Sequence, residues 1–146
     1  MLRAQDLLVP VDFSPCSLNA LRVALGVAAP EGDVTVLHVI DQHFVSDAVA
    51  AGMGASEEIT ARLRERAEAS FDEMLTGLDT GGAHIERMVV VGEPFVEILK
   101  IARDLDLPMI VMGARGRSTP PEELLFGSTV ERVIRATRIP VLCVPY

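Results

Sequence analysis

Two glycines three apart, Gly113 and Gly116, are followed after ten residues by Gly127-Ser128-Thr129. Glycine lets backbone N–H groups approach an anion with no Cβ in the way. A helix starting near Ser128 would add unpaired donors and the positive end of its dipole. The chemistry such a paired-glycine loop suits is phosphate binding. Other phosphate and nucleophile signatures are missing. A Walker A loop needs a lysine for the β/γ-phosphates, and the one lysine here, Lys100, falls inside a predicted helix. The first apolar run is followed by Asp12-Phe13-Ser14-Pro15 rather than a Gly-x-Gly-x-x-Gly fingerprint, and no Gly-x-Ser-x-Gly elbow occurs.

Metal and redox chemistry find no pattern either. Cys16 and Cys143 stand far apart with no Cys-x-x-Cys spacing, which points to reduced, partly buried thiols. His38, His43 and His84 form no ligand cluster, and His38 and His43, five apart across a strand end, are not expected to share a face. No metal-ligating residues are assigned.

The chain of 146 residues fits one domain over 1–146, with 49% hydrophobic and 23% charged residues, a mix that supports a globular core. No apolar run is long enough for a membrane span, and the N-terminus lacks a secretory cleavage pattern, so the expected location is cytoplasmic. A formal net charge of −8 repels polyanions and argues against nucleic acid as a partner.

The elements that must position the glycine loop alternate along the chain. Leu7-Leu8-Val9-Pro10-Val11 reads as a strand covered on both faces. Ser14 as N-cap and Pro15 at the first helical position open a helix on Ala20, Leu21, Ala24, Leu25 and Ala28, which Pro30 and Gly32 stop. Val34 to Ile40 is a second strand. Residues 41–56 are polar, Gly/Ala-rich and aperiodic, and read as a surface loop. Ile59, Leu63, Ala67, Phe71, Met74 and Leu78 mark the buried face of a long helix whose other face, with Arg62, Arg64, Glu65, Arg66 and Glu68, reads as solvated. A third strand over Ile85 to Val91, a helix on Val96, Ile98, Leu99 and Ala102, a fourth strand Met109 to Met112, a helix Ser128 to Thr137 and a last strand Val141 to Val144 complete a parallel α/β sheet.

Ligands of open parallel sheets sit beyond the C-terminal strand ends where strand order reverses. With the first strand central and the fourth beside it, Asp12 and the loop from Gly113 open into one crevice. Two residues have purely structural roles available. Ser128-x-x-Glu131 matches a capping box, and Asp12 can fix the turn after the first strand or help Ser14 cap the helix.

Six segments in register, Leu8-Val9-Pro10-Val11-Asp12-Phe13-Ser14, Leu37-His38-Val39-Ile40-Asp41, Val91-Gly92-Glu93-Pro94, Met112-Gly113-Ala114-Arg115-Gly116, Gly127-Ser128-Thr129 and Ile139-Pro140-Val141-Leu142-Cys143-Val144, resemble the universal stress protein family. The resemblance implies a single-domain open parallel five-stranded sheet of order 3-2-1-4-5, helices on both faces, of the adenine nucleotide alpha hydrolase-like kind. It also implies a homodimer paired through Val141–Val144 and, in one branch, ATP or AMP in the crevice, with Mg²⁺ where a cation accompanies the phosphates. By position, Asp12 and Val39 would flank the adenosine beside Pro10 and Val11. Met112, Gly113, Arg115 and Gly116 would line the ribose and phosphates, and Gly127, Ser128 and Thr129 would hold the phosphates. An acceptor-only carboxylate at Asp12 suits ribose hydroxyls or adenine N–H, and Val39 gives a flat base an apolar wall.

The family pattern has nine residues between Gly116 and Gly127 where this chain has ten. Pro120-Pro121 favours an outward bulge that absorbs the extra residue. Arg115 and Arg117 would help phosphates, whereas Glu122 and Glu123 would oppose them. The expected function is a stress-response regulator that binds ATP or AMP as a homodimer with little or no catalysis. A nucleotide-free homodimer acting through its surface is the alternative, and a slow ATPase or self-phosphorylating enzyme using Ser128 or Ser118 is a second one.

Overall fold

The computed structural model describes residues 4–116 and 126–145. Five parallel strands form one sheet in the order β3-β2-β1-β4-β5. They are β1 (Ala4–Pro10), β2 (Ala28–Asp41), β3 (His84–Gly92), β4 (Ile110–Gly113) and β5 (Val141–Val144). The helices are α1 (Pro15–Val27), α2 (Gln42–Ala50), α3 (Ser56–Leu75), α4 (Pro94–Asp104) and α5 (Ser128–Ala136). None of them is long and apolar enough to cross a membrane. This is the strand order the resemblance implies. The reversal lies at β1, from which the chain winds out to β2 and β3 and then returns across the sheet to β4.

Both faces are covered because alternate side chains of each central strand are apolar. Leu7, Val9, Val34, Val36 and Val111 share one core with Ala20, Leu21 and Ala24 of α1 and Phe71 of α3. Leu8, Leu37, Ile110 and Met112 point the other way, into a core with Ile98, Ile101 and Ala102 of α4 and Val130 and Val133 of α5. Inward positions on both sides explain why these strands read as continuous apolar runs.

Two segments depart from the sequence expectation. Residues 41–56 are not a loop throughout, since α2 occupies Gln42–Ala50. The Asp41 side chain accepts from His43 N–H at 2.9 Å and caps the helix start, while Val45 and Ala48 bury one face against Ile40 and Ile59. The turn proper lies beyond, where Gly52 (φ 76°) and Gly54 (φ 130°) take the left-handed backbone. Likewise β2 begins directly after α1, at Ala28 rather than Val34. The pairing with β1 shifts between Ala28 and Asp33, and Pro30 and Gly32 sit in that bulge rather than in a separate loop. A Cβ on Gly32 would lie 2.4 Å from the Gln5 carbonyl oxygen, so the strands can close there only around glycine.

Candidate functional site

The C-terminal ends of β1, β2 and β4 and the N-termini of α1, α4 and α5 surround a cavity of about 620 Å³. All eleven residues that the sequence reading placed in a site line it: Pro10, Val11, Asp12, Val39, Met112, Gly113, Arg115, Gly116, Gly127, Ser128 and Thr129. Met112 serves both cavity and core, being 5% exposed.

The first wall comes from the turn after β1. Asp12 Oδ1 accepts from Ser14 N–H at 3.0 Å, and Ser14 Oγ in turn accepts from Ser17 N–H at 3.2 Å. Asp12 therefore does set the turn, and Ser14 caps α1 with Pro15 in its first turn as the sequence suggests. The other Asp12 oxygen faces the glycine loop, because a Cβ on Gly116 would lie 3.1 Å from Oδ2. A side chain at Gly116 would thus intrude on the space beside this carboxylate. Gly113 answers a different constraint. A Cβ there would meet Cys16 Sγ at 2.8 Å and the Cys16 carbonyl oxygen at 3.1 Å, so β4 runs this close to α1 only with glycine at its end.

The two ends of the glycine loop are tied together. Gly127 N–H donates to the Ala114 carbonyl at 2.8 Å, and Ala114 N–H donates to Val144 at 2.9 Å. The ten-residue interval leaves from and returns to a fixed pair of backbone positions, whatever path it takes between them. Residues 117–125, with Arg117, Ser118, Pro120-Pro121 and Glu122-Glu123, lie outside the described residues.

Ser128 does not form the expected capping box. It is the first residue of α5, Gly127 takes the N-cap position, and being glycine it offers no side-chain cap. Glu131 does not reach back. It accepts instead from Arg135 Nη2 at 2.8 Å, an i,i+4 pair that extended side chains on one helix face favour. The amino end of α5 meets the cavity through Gly127, Ser128 and Thr129, and a helix amino end suits an anion.

The remaining lining comes from residues that local patterns did not single out. Phe13, His38, Phe44, Arg66 and Ser70 all face the cavity. Phe13 holds φ at 63°, a conformation disfavoured for a bulky side chain, and its ring packs edge-on against Phe71 at 5.0 Å and beside His38 at 4.7 Å. His38 Nδ1 lies 2.9 Å from the Val11 carbonyl, which can only accept, so the proton sits on Nδ1. Arg66 belongs to the helix face read as solvated. Its neighbours divide between that role and pairing, with Arg64 donating to the Val89 carbonyl and Glu68 accepting from Arg87. Helices α2 and α3 bring Phe44, Leu63, Arg66, Ala67 and Ser70 to the mouth of the cavity, which a loop over 41–56 would not have placed there.

Both thiols are free. Cys16 is buried beneath Gly113, and burial pushes the Cys143 thiol up, which disfavours a thiolate there. The three histidines do not gather with one another, and His38 faces the cavity. His43 turns outward, and its Nε2 lies 2.8 Å from Glu93 Oε2, with Asp41 also nearby. The sequence shows no metal-ligand spacing because Glu93 joins from the turn between β3 and α4, 50 positions further along.

Comparison with known proteins gives a consistent likeness along the whole chain. A family model described as "Universal stress protein family" matches residues 4–145. Universal stress protein MJ0577 of Methanocaldococcus jannaschii is 32% identical over 153 residues, covering 96% of this chain and 94% of its own. A structure of the MJ0577 protein superposes with a TM-score of 0.84 at 30% identity, over 99% of this chain and 98% of the other. Universal stress protein MJ0531 of the same organism is 31% identical, over 96% of this chain and 81% of its own. A universal stress protein solved in complex with cAMP aligns with a TM-score of 0.61 and 26% identity, over 98% of both chains.

Proposed function

The chain belongs to the universal stress protein family, and from that premise we propose that it binds ATP or AMP in the β1/β4 crevice as a regulatory ligand. The observation that carries this reading is the convergence of Asp12, the two tied ends of the glycine loop and the amino end of α5 on one cavity. The cavity volume of about 620 Å³ lies within the range of roughly 300–1,000 Å³ usual for small-molecule sites. A relative solved with cAMP supports an adenine nucleotide as the class of ligand.

The chemistry of the lining is matched to such a ligand. Val11 and Val39 are apolar walls for a base, and Asp12 accepts from ribose hydroxyls or base N–H groups. Backbone N–H groups at Gly116, Ser128 and Thr129 suit phosphate oxygens, with Gly127 leaving space for them beside its own bond to Ala114, and Arg115 adds positive charge. Mg²⁺, where it accompanies ATP, would supply charge neutralisation on the phosphates. Every one of these roles is binding and orientation, so the proposal assigns little or no turnover.

The same proposal includes a homodimer paired through β5. This strand forms one edge of the sheet, and Leu142 on it is 37% exposed. An unpaired apolar edge of this kind is stabilised by pairing with a second copy.

The test is to purify the protein without added nucleotide, denature it, and identify what it releases by chromatography and mass spectrometry, with calorimetric titration of the emptied protein. Released or titratable ATP or AMP at one per chain is expected. Absence of both would refute nucleotide binding and leave the surface-acting dimer as the better reading.

A further inference from the structure

At the rim of the crevice, the fold gathers one imidazole and two carboxylates from two chain segments 50 positions apart. Asp41 ends β2, His43 lies in the first turn of α2, and Glu93 precedes α4. One potential ligand atom from each lies within 4.8 Å of the other two. We propose that Asp41, His43 and Glu93 form a site for a single divalent transition-metal ion of the zinc type at the rim of the crevice.

The orientation of each donor supports this assignment. Asp41 accepts from His43 N–H through Oδ1, which fixes the two residues relative to each other and leaves the carboxylate a second oxygen. Glu93 occupies the N-cap position of α4 but makes no capping hydrogen bond. Its carboxylate turns sideways instead, with Oε2 2.8 Å from His43 Nε2 and Oε1 3.3 Å from Arg132 Nη1. Arg132 is itself placed over the Phe95 ring, 5.4 Å from its centroid. A cation that holds one carboxylate oxygen while the other faces an imidazole nitrogen is the outer support that metal-binding carboxylates commonly have.

The donor set selects the ion. One nitrogen and two oxygens suit Zn²⁺ or a similar first-row ion, which binds His and carboxylates at about 2.0–2.2 Å and in open sites keeps a position for water. Ca²⁺ would want about six to eight oxygen ligands, more than three side chains give. Drawing the ligand atoms into a tetrahedral shell requires them to approach somewhat from their present separation. The His43 side chain, 69% exposed, has the freedom to do so. The ion would replace the direct His43–Glu93 contact with two bonds to itself, and a solvent-screened pair of that kind is weak and easily given up. Asp41 also lines the crevice, so the open position of the ion would face the space next to the proposed ligand site.

The experiment uses the full chain without an affinity tag and without nucleotide, stripped of metal and titrated with Zn²⁺ by calorimetry and with Co²⁺ by visible absorption. One ion per chain is expected, with the intense d–d bands of low-coordinate Co²⁺. His43→Gln changes an exposed side chain and Glu93→Gln keeps the size of a partly buried one, and each is expected to weaken binding at least about 100-fold, since even loss of a supporting residue commonly costs 10–100-fold. His84→Gln, away from the cluster, is expected to leave it unchanged. No saturable ion, or an affinity that both cluster variants leave unaltered, would overturn the assignment. Nucleotide affinity, measured separately, is independent of either result.

Discussion

Replacing Asp12 by asparagine separates the structural role of this side chain from its role towards a ligand. In the folded chain Oδ1 accepts from Ser14 N–H at 3.0 Å, and Oδ2 faces Gly116. Asparagine retains a carbonyl oxygen for Ser14 and presents an NH₂ group in place of Oδ2. The turn and the α1 cap survive, so stability is expected to change by less than about 1 kcal/mol, the worth of one ordinary hydrogen bond. A ribose hydroxyl or adenine N–H that had donated to the carboxylate now meets a donor. Hydrogen bonds to charged groups contribute about 1.5–3 kcal/mol, and 1.4 kcal/mol is tenfold in affinity, so Asp12→Asn is expected to bind ATP and AMP about 10- to 150-fold more weakly. Calorimetric titration measures the affinity, and a thermal melt on the same sample checks the fold. An unchanged melt together with an affinity within about threefold of the parent, well short of that range, would refute the placement of Asp12 against the nucleoside.

The other predictions address the phosphate end and the dimer. Gly127→Val is expected to abolish measurable nucleotide binding while keeping the native circular dichroism spectrum. Gly127 has φ −63°, open to any residue, and its N–H bond to Ala114 is kept, but a branched side chain would enter the space proposed for phosphate; unchanged affinity would move the phosphates elsewhere. Leu142→Arg is expected to yield a soluble monomer by light scattering, because Leu142 is exposed on the edge strand, and a persistent dimer would show that another surface pairs. Val144 is unsuitable for that test. It is 5% exposed within the α1-side core, so a charge there would unfold the chain rather than report on the edge.

What was legible in the sequence is what local chemistry dictates. The run Leu7 to Val11 is apolar at every position, and Val34 to Ile40 at all but Thr35 and His38, because both faces are covered, and Ser14-Pro15 opens α1 with a cap of its own. The glycine pairs were visible because a close backbone approach leaves only glycine possible, as the Gly113–Cys16 contact shows. Helix α2 was not legible, since two buried positions, Val45 and Ala48, are too few to establish a period and its cap comes from Asp41. Nor could Ser128-x-x-Glu131 be resolved from sequence, because Glu131 had two partners at helical spacing and the structure pairs it with Arg135. Phe13, His38, Phe44, Arg66 and Ser70 entered the crevice only through tertiary packing, and Glu93 met His43 across 50 positions.

The charge distribution bears on which ligand the crevice can hold. The chain carries a formal net charge of −8, which on its own would repel a nucleotide. Among the described lining residues, however, Arg115 stands in the glycine loop that leads to the amino end of α5 and Arg66 faces the cavity from α3, while the acidic groups are Asp12 and Asp41, at the ends of β1 and β2. The crevice is thus polar in a directional sense. An anion is favoured near the β4–α5 loop, and a hydrogen-bond donor is favoured near Asp12. A ligand with phosphate at one end and hydroxyl or amino donors at the other satisfies both ends at once, whereas inorganic phosphate satisfies one and a free nucleoside the other. Because the Gly127–Ala114 and Ala114–Val144 hydrogen bonds fix the anion end to the sheet, the distance between the two ends does not depend on the length of the intervening loop. With ten residues between Gly116 and Gly127, both tied ends are still in place.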